Sequence, residues 1–123
     1  MKTVLSVGQC RPDQAAISHF LTSAFEVSVT TADYAEDAID AVKTESPDLV
    51  LINRKLDADY SDGMEILKAL KADPTTASVA VMLVSNFSEW QEKAVAAGAL
   101  YGFGKAELAA PETRARVAAA LGL

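Results

Sequence analysis

Short apolar runs rich in β-branched residues alternate along this chain with longer segments in which apolar residues recur at helical spacing. Apolar runs of this kind are typical of strands buried in a sheet, and spacing of i, i+3, i+4 and i+7 puts apolar side chains on one face of a helix. The pattern predicts five strands, at Val4–Val7, Val27–Thr31, Leu49–Ile52, Val79–Val84 and Leu100–Phe103.

Each predicted strand is followed by a segment with the start signals of a helix. The first and fifth helices are expected to begin near Pro12 and Pro111, because proline fits the first helical turn. Asp33 and Ser88 are predicted to cap the second and fourth helices, and the third is predicted to begin at Gly63. Five strands alternating with five helices predict a doubly wound α/β parallel sheet, with a ligand crevice at the carboxyl ends of its strands.

Composition narrows the classes of protein that fit. The 123 residues, half of them apolar, suffice for one domain with its own core, so we expect a single domain over residues 1–123. A net charge of -6 opposes direct binding to nucleic acid. Cys10 has no cysteine partner for a disulfide, and we find neither a membrane span nor the design of a signal peptide. We therefore expect a cytoplasmic protein with no membrane contact.

The predicted crevice would be lined by neutral residues and one lysine. The residues that follow the strands at that edge are Gly8 and Gln9, Asn53, Ser85 and Asn86, and Gly104 and Lys105. None of them is a carboxylate. We therefore expect Lys105 to be a solvated lysine at a strand end, without an acidic partner.

Four segments succeed one another in a recognisable order: Pro47–Asn53, Gly63–Leu67, Val84–Ser85 and Ala97–Lys105. They resemble, in that order, the third strand, the start of the third helix, the end of the fourth strand and the segment leading to the family's lysine in the receiver domain of bacterial two-component response regulators. The resemblance covers essentially the whole chain. It implies a flavodoxin-like (βα)5 fold with strand order 2-1-3-4-5, and it puts Asn53 at the phosphoacceptor position.

The resemblance also locates three missing carboxylates. In receivers, a pair of acidic residues after the first strand holds Mg²⁺ together with the phosphoacceptor aspartate, whereas this chain has Gly8, Gln9 and Asn53. An amide cannot form an acyl phosphate, and Mg²⁺ prefers charged oxygen ligands. We therefore expect no phosphorylation on Asn53, no metal and no cofactor. Gly102 replaces the aromatic residue that receivers commonly carry three positions before the lysine, and Ala106 replaces the proline after it.

These departures predict a pseudo-receiver: a phosphorylation-independent interaction module that is not an enzyme and binds other signalling proteins or an attached output domain. The resemblance implies that helix four, strand five and helix five form the partner surface and a homodimer face. In this chain that surface would draw on Trp90, Tyr101, Glu107 and Arg114, with exposed aromatic side chains as anchors. Trp90 also fits packing at the edge of the core.

Two other interpretations stay open. The crevice of Gly8, Gln9, Asn53 and Ser85 would suit a small uncharged ligand, which makes a sensor the alternative function. An ordinary receiver silenced by substitution at Asn53 is the other, although one substitution would have left the acidic pair in place.

The acidic loop Asp57–Gly63 has the look of a calcium loop. Its glycine falls one position late, however, and Lys68 stands where a bidentate glutamate is needed. We therefore expect a solvated loop.

Overall fold

The computed structural model describes all 123 residues and contains five strands and five helices. The strands are β1 (Lys2–Val7), β2 (Val27–Ala32), β3 (Leu49–Asn53), β4 (Val81–Val84) and β5 (Leu100–Phe103). The helices are α1 (Arg11–Ala24), α2 (Ala35–Glu45), α3 (Gly63–Ala72), α4 (Ser88–Ala96) and α5 (Pro111–Leu121), with one 3-10 turn at Lys105–Glu107 before α5. All neighbouring strands are parallel, in the order β2-β1-β3-β4-β5. The predicted doubly wound fold is confirmed.

Helices cover both faces of the sheet, so the core consists of two layers. On one face, Ile17 and Leu21 of α1 and Val117 of α5 pack with Phe103. On the other face, α2, α3 and α4 pack against alternate residues of the same strands. β3 runs through the centre, and its residues from Leu49 to Ile52 have no measurable exposure. A strand buried on both faces requires the continuous apolar run that the sequence has there.

The fourth strand begins two residues later than the sequence pattern predicts. The N–H of Val79 donates to Thr76 O at 3.1 Å, and the Lys71 ammonium donates to Ala77 O at 2.9 Å and also to Val79 O. Both backbone groups of Val79 are therefore used before the ladder starts, and the strand begins at Val81.

The predicted caps of two helices were wrong by one residue. The residues at the N-cap positions of α2 and α4 are Tyr34 and Phe87, and neither helix has a side-chain cap hydrogen bond. Asp62 does cap α3, because its carboxylate accepts from the N–H of Met64 at 2.9 Å. Among the helices, none combines the length and apolar character that a bilayer span requires.

Candidate functional site

The carboxyl ends of β3, β4 and β5 enclose a crevice of about 440 Å³. Its lining includes three of the predicted site residues, Asn53, Ser85 and Lys105, and three further polar residues, Arg54, Lys55 and Asn86. Gly8 and Gln9 are not among the lining residues. The fold thus brings Asn53, Ser85 and Lys105 together and leaves the end of β1 outside the crevice.

The end of β1 is sealed by an apolar side chain. Gly8 has a φ of +74°, and a Cβ added there would lie 2.5 Å from Cγ of the fully buried Leu56. The Gly8 carbonyl accepts from the Asn53 side-chain amide at 3.0 Å and from the N–H of Asp57 at 2.9 Å. A residue with a side chain at this position would be strained by the left-handed backbone conformation, and its side chain would collide with Leu56. The contact of Leu56 with Gly8 was not predicted, because no local sequence pattern indicates it.

Gln9 is buried and is not part of the crevice lining. Its Nε2 donates to Val7 O at 3.4 Å, and its Oε1 has no partner. The residue lines a separate small cleft beside α1. The position of an acidic metal ligand in the resembling family is therefore occupied by an amide that faces another part of the molecule.

Lys105 has an acidic partner, contrary to the expectation of a solvated lysine. Its Nζ lies 2.7 Å from Oδ2 of Asp13, and the Cys10 thiol donates to the same oxygen at 3.0 Å. The hydrogen bond from Lys105, and after it the bond from Cys10, lowers the pKa of the Asp13 carboxyl below its ordinary value. Asp13 belongs to the first turn of α1, and nothing in its local sequence indicates that it reaches Lys105.

Trp90 lines the crevice, and two cations lie over its ring. The Arg54 guanidinium carbon is 3.6 Å from its ring centroid, and the Lys93 ammonium is 4.3 Å away. Arg54 is also paired with Asp62 at 3.0 Å. The half-buried indole packs against the core cluster of the α2, α3 and α4 face. Its ring is thus engaged by two cations of the same chain.

A buried amide joins α4 to the last two strands. Gln91, only 2% exposed, donates from Nε2 to Leu83 O at 2.9 Å and to Ser85 O at 3.2 Å, and its Oε1 accepts from Gly102 N at 2.8 Å. Met82 pairs with Leu100 and Val84 with Phe103, so β5 carries one extra residue between these pairs. The Gln91 amide therefore completes the hydrogen bonding that this bulge interrupts.

Gly102 is the residue that the bulge requires. A Cβ at this position would collide with Leu83 O and approach Gln91 Oε1 to 3.1 Å. The absence of a side chain thus permits the close approach of β4, β5 and the Gln91 amide.

The four predicted partner-surface residues, Trp90, Tyr101, Glu107 and Arg114, have different surroundings. Tyr101 is 40% exposed, and the Arg116 guanidinium lies 4.7 Å from its ring centroid. Glu107 caps the 3-10 turn by accepting from Gly104 N at 3.0 Å. Arg114 lines a groove between α1 and the start of α5, together with Phe20. Arg116, which the sequence analysis did not select, is the α5 cation next to Tyr101.

Two of the three carboxylates of the acidic loop, Asp59 and Asp62, have local partners. Asp59 accepts from the hydroxyl of Ser61 at 2.6 Å and from its N–H at 3.0 Å. Asp62 binds Arg54 and caps α3. The structure contains no group of three or more His, Cys, Asp or Glu side chains arranged around a common point.

Comparison with solved structures identifies the class of fold. The chain is similar to the signal receiver domain of a DNA-binding response regulator from Colwellia psychrerythraea, with 26% identity, a TM-score of 0.72, and coverage of 86% of this chain and 87% of that one. A putative response regulator from Chloroflexus aurantiacus is 19% identical, with a TM-score of 0.78 over 99% of this chain and 98% of that one.

A third similar structure carries a metal. It is the receiver domain of a sensor histidine kinase from Pseudomonas aeruginosa with a magnesium ion coordinated in its active-site cleft. It is 20% identical, with a TM-score of 0.72, and the match covers 98% of this chain and 93% of that one. No curated protein sequence matches this chain.

The family follows from the sequence itself. The model of the response regulator receiver domain matches residues 10–111. The chain therefore belongs to the response regulator receiver domain family, the signalling modules of two-component systems.

Proposed function

We propose that this receiver domain has lost its phosphorylation site and acts as a protein-interaction module in a signalling pathway. The observation that carries the proposal is the close packing of Leu56 over Gly8. The left-handed φ of +74° and the 2.5 Å that would separate an added Cβ from Leu56 Cγ leave no room for an acidic side chain at position 8. The loss of the carboxylate at this position thus follows from the packing and is more than a change of side-chain type.

Phosphoryl transfer needs a nucleophile and cations that neutralise the transferred group. Asn53 is not a nucleophile, and its amide is bound to the Gly8 carbonyl at 3.0 Å. Lys105 is held 2.7 Å from Asp13, so its charge is already compensated. These contacts support a site that neither accepts a phosphoryl group nor binds Mg²⁺, and a domain that is not an enzyme.

A fixed partner surface is supported by the Gln91 amide. Three hydrogen bonds from one buried side chain tie α4 to β4 and β5. Proteins that switch commonly do so by small shifts of packed helices. We infer that here they keep one arrangement, so that partners meet the same surface at all times.

The partner surface we propose centres on β5 and the neighbouring faces of α4 and α5. It presents Tyr101 with Arg116, and Leu100 and Val95, which are each 45% exposed. A central aromatic side chain beside an arginine is the composition of an interaction hot spot. The partners would be other signalling proteins, an attached output domain or a second copy of this chain, through α4, β5 and α5.

The absence of phosphoryl chemistry is tested by thermal denaturation with and without Mg²⁺ and beryllofluoride. A ligand that binds only the folded state must raise the midpoint. We expect no shift for the wild type or for Asn53→Asp, because the variant still lacks the acidic pair. A magnesium-dependent rise in the wild type would refute the proposal. A rise in Asn53→Asp alone, or its phosphorylation by acetyl phosphate, would favour an ordinary receiver silenced at one position.

The interaction role is tested by affinity capture from the native host. We expect Tyr101→Ala to weaken capture of a specific partner about tenfold or more, since truncation of a hot-spot aromatic typically costs ~2 kcal/mol. Tyr34→Ala is the matched control, because Tyr34 is 50% exposed but precedes α2. Equal capture by both variants and the wild type would contradict this surface.

A small-ligand sensor is the second candidate. The 440 Å³ crevice is of the right size, and Asn53, Ser85 and Asn86 provide neutral polar groups. Arg54 and Lys105 also line it, each with its own carboxylate partner. Native mass spectrometry of protein isolated from its host would detect a ligand retained there.

A further inference from the structure

β2 forms a free edge of the sheet, because it lies at one end of the strand order and pairs with β1 alone. Gly8 N donates to Ala32 O at 2.8 Å, so the peptide groups of Ala32 point toward β1. Successive residues of a strand in a parallel pair direct their peptide groups to opposite sides. Those of Val27, Val29 and Thr31 therefore point away from the sheet, and no loop or side chain of this chain bonds to them.

The helices leave this edge uncovered on both faces of the sheet. Ser28 and Thr30 are exposed on the face that carries α2 and α3, and Thr31 is exposed on the face that carries α1. Val29, between them, is half-buried. The helix layers thus end short of the edge, and a further strand can approach it in the plane of the sheet.

The edge has none of the features that usually protect such a strand. Edge strands commonly contain a charged side chain, a proline or a bulge, each of which hinders pairing with another chain. The residues of β2 are Val-Ser-Val-Thr-Thr-Ala, of which four are β-branched and none is charged, proline or glycine. The pairing of β2 with β1 continues without a bulge over all six residues, which span about 20 Å. β2 is therefore suited to pair with a further strand.

The outward peptide groups of β2 are complementary to those of a second copy. A two-fold axis at Val29 places two such strands antiparallel, which is the arrangement that an identical pair of surfaces requires. Val29 then lies opposite Val29 of the second copy, and Val27 lies opposite Thr31. Each of these pairs exchanges two backbone hydrogen bonds, so about six bonds form and every outward group is used.

The side chains of the same register are also compatible. Ser28 lies opposite Thr30 of the second copy, so exposed hydroxyl groups meet across the strands. Two acidic residues, Glu26 and Asp33, flank β2. Glu26 lies opposite Ala32 in this register, and neither acidic residue meets another one. No like charges therefore oppose this pairing directly.

We propose that two copies of this chain pair antiparallel through β2, so that two five-stranded sheets become one sheet of ten strands. The β5 edge with Tyr101 stays free at both ends of this sheet, so the dimer presents that surface twice. The proposal does not depend on the loss of the phosphorylation site, because no residue that lines the crevice belongs to β2.

Sedimentation equilibrium of the full chain tests the proposal between about 10 μM and 1 mM, the range of a small interface. We expect the mean mass to rise from that of one chain toward that of two. Ser28→Lys with Thr30→Lys places lysine opposite lysine, so the dissociation constant should rise about tenfold. These lysines change the net charge from -6 to -4, so overall repulsion would act in the other direction.

The matched control is Ser28→Lys with Thr30→Glu. It places each lysine opposite a glutamate of the second copy, so the dimer should be kept. Tyr101→Ala should also keep it, which distinguishes this dimer from association through α4, β5 and α5. In the wild type, hydrogen exchange at the N–H groups of Val29 and Thr31 should slow as the protein concentration rises.

Several outcomes would overturn the proposal. They are a wild type that stays monomeric over the whole range, a double-lysine variant that associates as strongly as the wild type, a lysine–glutamate variant that dissociates as the double-lysine variant does, and a dimer that Tyr101→Ala abolishes. Exchange at Val29 and Thr31 that does not change with concentration would also contradict it. A monomeric chain that binds the synthetic peptide Val-Ser-Val-Thr-Thr-Ala would instead assign the edge to an extended segment of another protein.

Discussion

Replacement of Gln91 by Met removes the buried amide while it keeps the length of the side chain. Gly102 N loses its acceptor, Ser85 O loses its donor at 3.2 Å, and Leu83 O loses one donor at 2.9 Å. These groups are buried, and β5 cannot close the ladder over the bulge to replace the bond of Gly102 N. The variant therefore leaves two backbone groups, Gly102 N and Ser85 O, unpaired in the interior.

The expected loss of stability follows from those two groups. Each unpaired buried polar group costs ~1–3 kcal/mol, so we expect Gln91→Met to lower the free energy of unfolding by about 3 kcal/mol. That is a large share of the ~5–15 kcal/mol typical of a domain. For a chain of this length it corresponds to a fall of about 10 °C in the thermal midpoint.

Urea unfolding followed by circular dichroism measures this loss, with the midpoint expected to fall at an unchanged slope. Amide hydrogen exchange adds a local measurement, because Gly102 N–H should exchange faster in the variant than in the wild type. Gln14→Met is the matched control. Its amide bonds only to Ser18 on the same helix, so we expect a change of ~0.5 kcal/mol or less. A loss below about 1 kcal/mol in Gln91→Met, with Gly102 still protected, would show that the amide does not hold the strands together.

Two further predictions concern the end of β1 and the crevice. Gly8→Ala should lower the free energy of unfolding, measured by heat or urea, by about 2–5 kcal/mol, because it combines left-handed strain with the Leu56 contact. Gly122→Ala is the control, at a φ of +73° with no atom nearby, and should lower it by only ~1–2 kcal/mol. Equal losses would exclude Leu56 as the cause. Asp13 has its pKa lowered from the ordinary 3.8, so its stabilising contribution is complete above that pH and is lost as the pH falls through the folded-state pKa. The difference in free energy of unfolding between the wild type and Asp13→Asn, measured by urea titration, should therefore be constant near neutral pH and shrink below about pH 4. A difference independent of pH would contradict the ion pair with Lys105.

Much of the fold could be predicted because its signals are local. Apolar runs marked all five strands, and the fully buried β3 was the clearest of them. The start of β4 was predicted two residues too early because it depends on Lys71. This residue belongs to α3, and its ammonium donates to the carbonyls of Ala77 and Val79. The β-branched Val79 fits the pattern of a strand, and the local sequence does not indicate the competing donor.

In the candidate site, too, the local features could be predicted and the contacts between distant residues could not. The position of Asn53 at the end of β3 followed from the periodicity of the chain. The seal of Leu56 over Gly8, the Asp13 partner of Lys105 and the bridge made by Gln91 did not. All three join residues from different elements, and each depends on side-chain direction in the folded state. Composition and spacing carry no information about such contacts.

The bulge in β5 also bears on how another chain could attach. β5 is an edge strand, and edge strands commonly recruit a further strand through their free backbone groups. Here the Arg116 guanidinium donates to Gly102 O at 3.3 Å, and the Gly102 N–H is taken by Gln91. At Gly102 both main-chain groups of the sheet border are therefore engaged, so recognition at this point depends on side chains, and extension of the sheet into a continuous intermolecular ribbon is disfavoured there.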